Sequence, residues 1–542
     1  MAHAADIALM AHLMRRAGFG AGRDELEARV AKGYDATVEE LLDPETQPPV
    51  DHYTLLRHQP SALLPGGVPP MGNVNYMYYL VTTQRPLEEK MALFWHHVFA
   101  TGNSKVDNYD QLLEQIDLFR HHGMGNYRDL LLKLAKNPSM IFWLDNNQNH
   151  GTEVNENWGR ELLELFSLGA GNYTEIDVRE ASRAFTGWGF ETKLPRLPYG
   201  RFPWKFQYRP EDHDEGEKTF LGNKGNLNGE DIIDIVVEQP ACAKFICRHL
   251  YNFFVADEPQ VPAWNLELPR DPAAVDILTK AFRENKCEMK PVLRTLFTSD
   301  FFKNARYKHL KSPAEVVVGT LRQMGGYEIA KPGYGELSMQ PSYMGQDLLN
   351  PPSVEGWHTG QEWINSGSLM ARINFVAEQV GNTSAPGVQS IIKRLRAMGV
   401  LAPEQMVDTC LDLLGPIEVG PDTKKELVDQ VKEWGDLRWD TAANAQAATK
   451  RTGELLQLIV ATREYQFAKR RNPRLRRTRR WRRSKRTRCW WLSSSRAATT
   501  ISTRSFLTTT RCTATIARRS ASATTRYCGW TGTMASRRTL RR

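Results

Sequence analysis

Acidic residues are missing from the last 74 positions of this 542-residue chain: positions 469–542 hold 23 Lys and Arg and no Asp or Glu. The whole chain carries 71 basic and 62 acidic residues, so taking away those 23 leaves 48 basic residues against all 62 acids in positions 1–468. The formal net charge of +9 therefore belongs to the tail, and the body carries −14. A basic protein invites a nucleic-acid reading, and the body gives that no support. Cysteine is sparse too. Three of the seven Cys lie in the tail, leaving Cys242, Cys247, Cys287 and Cys410 with no CxxC pair, which reads as reduced core residues rather than a disulfide framework. No apolar run is long enough for a membrane span. The opening MAHAADIALMAHLMRRAGFG lacks a basic segment followed by an apolar one, so it does not read as a signal peptide. Together these absences point to the cytoplasm. The body also contains no Walker loop, GxGxxG, HExxH or GxSxG, which leaves nucleotide binding and a standard serine hydrolase without support.

The tail admits two readings. KRRNPRLRRTRRWRRSKRTR (469–488) is a candidate disordered basic arm for phosphate backbones. Its Arg/Ser/Thr/Ala composition, with scattered Trp and Cys, is also what GC-rich coding DNA yields when translated out of frame. The genetic code favours the second. From Cys489 to Ala517, joining each codon's third base to the next two bases permits LVVIQLSGGNDYLNTVVPYNDPLYRDNRP. That string resembles the opening of the domain of unknown function 1501 family, which is distantly similar to alkaline phosphatases and sulfatases. We therefore expect 469–542 to be a frameshifted, disordered segment. A neighbouring protein starting near Cys489 also leaves only about twenty codons before it, too few for a secretory leader and spacer.

The body, 1–468, is long enough for a large buried core, and helical periodicity dominates it. Leu9, Leu13 and Met14 fall at helical spacing, and Gly18 and Gly20 end that helix. Helices are expected at 24–33, 37–42, 86–99, 111–123, 127–137 and 156–169. Another opens on Thr174-Glu175-Ile176-Asp177, a capping box with Asp in place of Glu. Helices resume at 229–237, 240–254, 272–285, 288–298 and 312–324, and then run to about Phe467. Residues 59–73 read as a disordered Pro/Gly stretch, and 344–368 as a turn-rich loop. Aromatic and β-branched residues in 189–222 indicate a β insertion, with KFQYRPEDHDEGEKTFLG as a hairpin around an acidic turn. The expected fold is mainly α: one large multi-helix domain with a small β-hairpin insertion.

Four stretches could carry chemistry. In Asn155-Glu156-Asn157-Trp158-Gly159-Arg160-Glu161-Leu162-Leu163-Glu164, Glu161 and Glu164 sit three apart on one helix face. They could share a proton or a metal ion, or simply belong to a salt-bridged surface. The preceding Asp145-Asn146-Asn147-Gln148-Asn149 would be costly to bury without partners. His96, in Trp95-His96-His97, is a core histidine unless carboxylates or His213 reach it from elsewhere; His121-His122 closes a helix before Gly123. The cluster from Glu211 to Glu217 could hold a hard cation or form a solvated turn. Trp357 and Trp363 could line a carbohydrate or peptide groove, or anchor their loop.

These residues, taken in combination, resemble a known family. His12-Leu13-Met14-Arg15-Arg16-Ala17-Gly18-Phe19-Gly20, Phe94-Trp95-His96, the run from Asn155 to Gly169, Ala184-Phe185-Thr186-Gly187-Trp188, His213-Asp214 with Lys218-Thr219-Phe220, and Asn350-Pro351-Pro352 with Gly356-Trp357 resemble the bacterial domain of unknown function 1800 family over roughly 8–468. Relatives carry a second His two positions after the first, where this chain has Val98, so His97 would have to serve in any metal pair. The resemblance implies no particular reaction. It does imply a genetic neighbour of the phosphatase-like family already legible out of frame.

Three functions stay open. The first is a helical binding or accessory partner of that neighbour. The second is a hydrolase acting on envelope or polysaccharide material with a divalent metal ion held by His96, Glu161, Glu164 and His213. Glu161, Glu164, Arg160 and Asn155 would then form its catalytic set, and Asp145, Asn146, Trp357 and Trp363 would meet substrate. The third is nucleic-acid binding through the tail.

Overall fold

A computed structural model describes residues 2–63, 70–191 and 203–467, all within one compact unit, Met1–Arg471. The basic tail lies outside the described residues, and with it the frameshift and nucleic-acid readings.

The described residues form 25 α-helices with two small two-stranded sheets, the mainly α architecture that the periodicity predicts. Thr174 caps the Glu175–Ala184 helix as the spacing requires: its hydroxyl accepts from Asp177 N, while Asp177 Oδ2 accepts from Thr174 N at 2.8 Å. The four body cysteines are unpaired, and three of them are buried. Among the described residues, no helix is long and apolar enough to cross a membrane.

Two helices make the centre. Every residue of Pro86–Val98 is buried, and Met71–Thr82 is buried on nearly all sides. The second overturns part of the disordered reading of 59–73. A helix surrounded by protein has no polar face, so MGNVNYMYYLVT carries no 3.6-residue alternation to betray it. The buried charges of Pro86–Val98 must find partners. Glu89 accepts from Arg120 (Nη2 to Oε2, 3.1 Å), and Lys90 pairs with Glu315 from the Pro313–Met324 helix.

The β insertion is present, but the strands pair otherwise than expected. β1 (Trp188–Glu191) runs antiparallel to β2 (Lys205–Tyr208), and β3 (Lys218–Phe220) pairs with β4 (Asn223–Gly225). The 205–222 stretch is therefore not one hairpin around an acidic turn. Ion pairs and backbone contacts decide this. Arg183 binds Asp214 through two bonds of 2.7 and 3.1 Å, and buried Lys218 donates to the Asp214 and Gly216 carbonyls. The acidic segment is pinned to the helical body and cannot act as a free turn between β2 and β3.

Candidate functional site

The acidic face is built on the Asn157–Glu164 helix. Asn155 Oδ1 accepts from Asn157 N at 3.0 Å, and Asn155 N donates to Asn149 Oδ1 at 2.9 Å. Asn155 is thus part of the scaffold that starts the helix. Trp158, Leu162 and Leu163 point into the core. The helix ends at Glu164, earlier than expected, where the i→i−4 pattern gives way to i→i−5 bonds from Phe166 N to the Glu161 carbonyl and from Leu168 N to the Leu163 carbonyl. Arg160 is likewise committed: it bonds Glu175 at 3.0 and 2.7 Å and Glu156 at 3.2 Å.

Glu161 and Glu164 are brought together, both half-buried. Burial, then the negative charge of Glu164, push the Glu161 carboxyl up to about 7; Glu355 adds to this, and Arg160 only partly opposes it. Glu164 Oε2 accepts from the Tyr173 hydroxyl at 3.1 Å, and burial followed by the Glu164 charge raises that hydroxyl. Sequence reading missed Tyr173 and Glu355. Tyr173 lies nine residues past Glu164 across a turn, and Glu355 comes from a distant loop.

That loop is seated by Trp357. Its backbone N–H donates to His97 Nδ1 at 3.3 Å, and its indole N–H donates to the Asp347 carbonyl at 3.2 Å. Its ring is parallel to His97 (6.2 Å between centroids) and edge-on to His96 (5.1 Å). Gly356 is required here: its φ is +88°, and a Cβ would stand 2.3 Å from the His97 carbonyl oxygen. Trp357 and Trp363 are 4 % and 7 % exposed, so both indoles anchor the loop and neither lines an open groove. Asn146 is also buried, donating to the Phe185 and Trp188 carbonyls at 3.2 and 2.8 Å. Asp145 alone of that set is partly open, in a left-handed backbone conformation with an ion pair to Lys105 at 2.7 Å.

The four proposed metal ligands are not gathered. Among the described residues, no three His, Cys, Asp or Glu side chains come together in a way that could hold a metal ion. His96 is fully enclosed between the Tyr76 and Trp357 rings, and neither ring nitrogen has a partner among the described residues. Burial, then neighbouring His97, lower it to about 3, so it is a neutral core histidine. His213 belongs to the β insertion, its Nδ1 2.9 Å from the Thr186 carbonyl. Both histidines lie on elements with their own packing needs, which spacing along the chain does not reveal. The acidic run 211–217 is no open cation loop either, since Asp212 contacts His150 at 2.6 Å and Asp214 is held by Arg183.

Fold and site together define a large helical protein with a paired-carboxyl surface and an otherwise enclosed polar interior. The chain belongs to the family described as protein of unknown function (DUF1800), which matches residues 12–467. No curated protein and no solved structure matches it.

Proposed function

We propose that this protein is a helical binding or accessory partner of a phosphatase/sulfatase-like protein of the domain of unknown function 1501 family. The observation that carries this reading is how completely packing uses the chemistry-bearing side chains. Asn155, Arg160, Asn146, Trp357 and Trp363 hold helices and loops together, and His96 is sealed in the core. The partner's identity is proposed from the tail, where another frame permits a string that resembles the opening of that family. The full chain should co-purify with that partner after co-expression, in roughly 1 M salt, where the Debye length is about 3 Å and attraction by a basic tail is screened. Failure to associate at micromolar concentrations rejects the reading.

A second reading, hydrolysis of envelope or polysaccharide material, has one observation in its favour. Glu161, raised to about 7 beside Glu164, resembles a carboxyl tuned to donate a proton near neutrality. On this reading Glu161 is the acid, and Glu164, steadied by Tyr173, is its companion. Release of reducing ends from envelope polysaccharide by the wild type, abolished in Glu161→Gln, would support it. An inactive wild type, or an unaffected variant, removes it.

A further inference from the structure

The His12–Gly20 segment, part of the family signature, walls a cavity of about 120 Å³ that shares no lining residue with the acidic face. The end of the Ala2–Arg16 helix, the 305–311 segment, the Pro313–Met324 helix, Gly415 and Tyr465 enclose it. Gly319 lets two walls meet, since a Cβ there would stand 2.6 Å from the Phe19 carbonyl oxygen. The space is several times the roughly 30 Å³ that one water occupies in the liquid. That leaves room for a small polar group.

Four of the residues lining it are Lys or Arg, and only Glu315 and Glu464 are acids. Two of the cations are already spent. Arg16 bonds Glu315 at 3.1 Å and the Phe254 carbonyl at 3.0 Å, and Arg306 lies 3.6 Å from Glu418. Glu315 is further occupied by Lys90, with His309 at 3.8 Å. The other two cations have no carboxylate partner among the described residues. Arg15 donates to the Gly415 carbonyl at 2.8 Å and forms no ion pair. Lys311 has its ammonium 4.2 Å from the centre of the Tyr465 ring, with no hydrogen bond or ion pair among the described residues. Burial, then the charges of Arg372 and Arg15, lower Lys311 to about 7, and Glu315 does not restore it. Behind it Arg372 spends both terminal nitrogens on the Lys311 carbonyl at 3.0 Å. Without a counterion, burial drives part-buried Lys311 toward its neutral form; an anion in this cavity would hold it protonated and offset Arg15 as well.

The acid left over narrows the class. Glu464 Oε1 accepts from Gly420 N at 3.1 Å and from the Thr423 hydroxyl at 3.0 Å, while Oε2 is buried without a partner among the described residues. An unpartnered carboxylate oxygen favours an anion that carries a proton and repels one that does not. Phosphate and its monoesters keep a titrating proton near neutral pH, whereas sulfate has none to give.

We propose that this cavity binds a phosphate group, free or as the end of a small monoester, between the Arg15 guanidinium and the Lys311 ammonium, with Glu464 accepting a hydrogen bond from the phosphate O–H. The site is independent of the acidic face and of the partner reading above.

Calorimetric titration of the full chain with inorganic phosphate, methyl phosphate and sulfate tests this. One saturable site is expected, with sulfate at least tenfold weaker. Lys311→Met and Arg15→Gln should each weaken phosphate binding at least tenfold, while Lys280→Met, at an exposed position outside the cavity lining, leaves it unchanged. Tighter binding of methyl phosphate than of inorganic phosphate would assign the site to an ester, and the reverse order to the free ion. Equal binding of sulfate and phosphate to the wild type is what a basic tail alone would give, and it overturns the proposal even if the pocket variants fail to fold. So does undiminished binding by a folded Lys311→Met, or no saturable binding at all.

Discussion

Glu315 offers the sharpest test of how this interior is held. Its carboxyl is 6 % exposed and meets Lys90, which is fully buried, and Arg16, at 6 %. Burial pushes the carboxyl up, but Lys90, Arg16 and His309 more than offset it and hold it well below the usual range. Glu315→Gln removes the charge and keeps the capping role, because a Gln at that position can still accept from Ser312 N, as Glu315 does at 2.8 Å. What remains is a buried ammonium and guanidinium without their anion, a loss of about 3–5 kcal/mol. Unfolding entropy of about 2.1 cal/mol/K per residue gives roughly 1 kcal/mol per degree for a unit of this size, so the melting temperature should fall by about 3–5 °C. Adding Lys90→Met removes the stranded ammonium and should recover about 2 kcal/mol, a coupling readable in a double-mutant cycle by urea unfolding. The carboxyl's lowered pKa fixes the sign with pH. The stabilisation is present above the unfolded-state value near 4.3 and disappears as pH falls through the lower folded-state value. A loss under about 1 kcal/mol in Glu315→Gln, or strictly additive variants, would refute the idea that this network holds the helices through charge.

Other outcomes follow from the same geometry. Glu161, raised to about 7, binds more protons folded than unfolded between about pH 4.3 and 7, so its contribution to stability declines as pH rises through that window. Glu161→Gln should flatten the decline and gain about 1 kcal/mol over the wild type at pH 8, measured by urea unfolding at pH 5 and 8; identical profiles would contradict it. Gly356→Ala, which drives a Cβ into the His97 carbonyl at positive φ, should cost roughly 2–4 kcal/mol and open the 344–365 loop to limited proteolysis. His96→Leu replaces a neutral ring with two unpartnered nitrogens and should change stability by no more than about 1 kcal/mol; a loss above about 3 kcal/mol would show that the ring does more than pack.

Most helices outside the centre were legible because one face of each is wet, though His52–His58 and Asn103–Val106 were too short to show a period. The Thr174–Asp177 capping box and the Tyr109–His122 helix ending at Gly123 sit where local chemistry put them. Met71–Thr82 was not legible: it is buried nearly all round and, unlike the equally enclosed Pro86–Val98 with its N-terminal Pro86 and Glu88-Glu89-Lys90, it has no charged residue and no side-chain cap to mark it. The β insertion was legible as composition and illegible as pairing, since the partner of β2 depends on where Arg183 and Thr186 hold the acidic segment.

The same division holds for the candidate sites. By itself the chain determined that Glu161 and Glu164 share a face, because helix geometry alone puts residues three apart on one side. Only the tertiary structure decided that Tyr173 and Glu355 join them, that His96 and His213 do not, and that Arg15 and Lys311 meet across nearly 300 positions around one cavity. Whether a charged side chain is spent or free depends on which distant backbone comes to rest against it, and no local pattern encodes that.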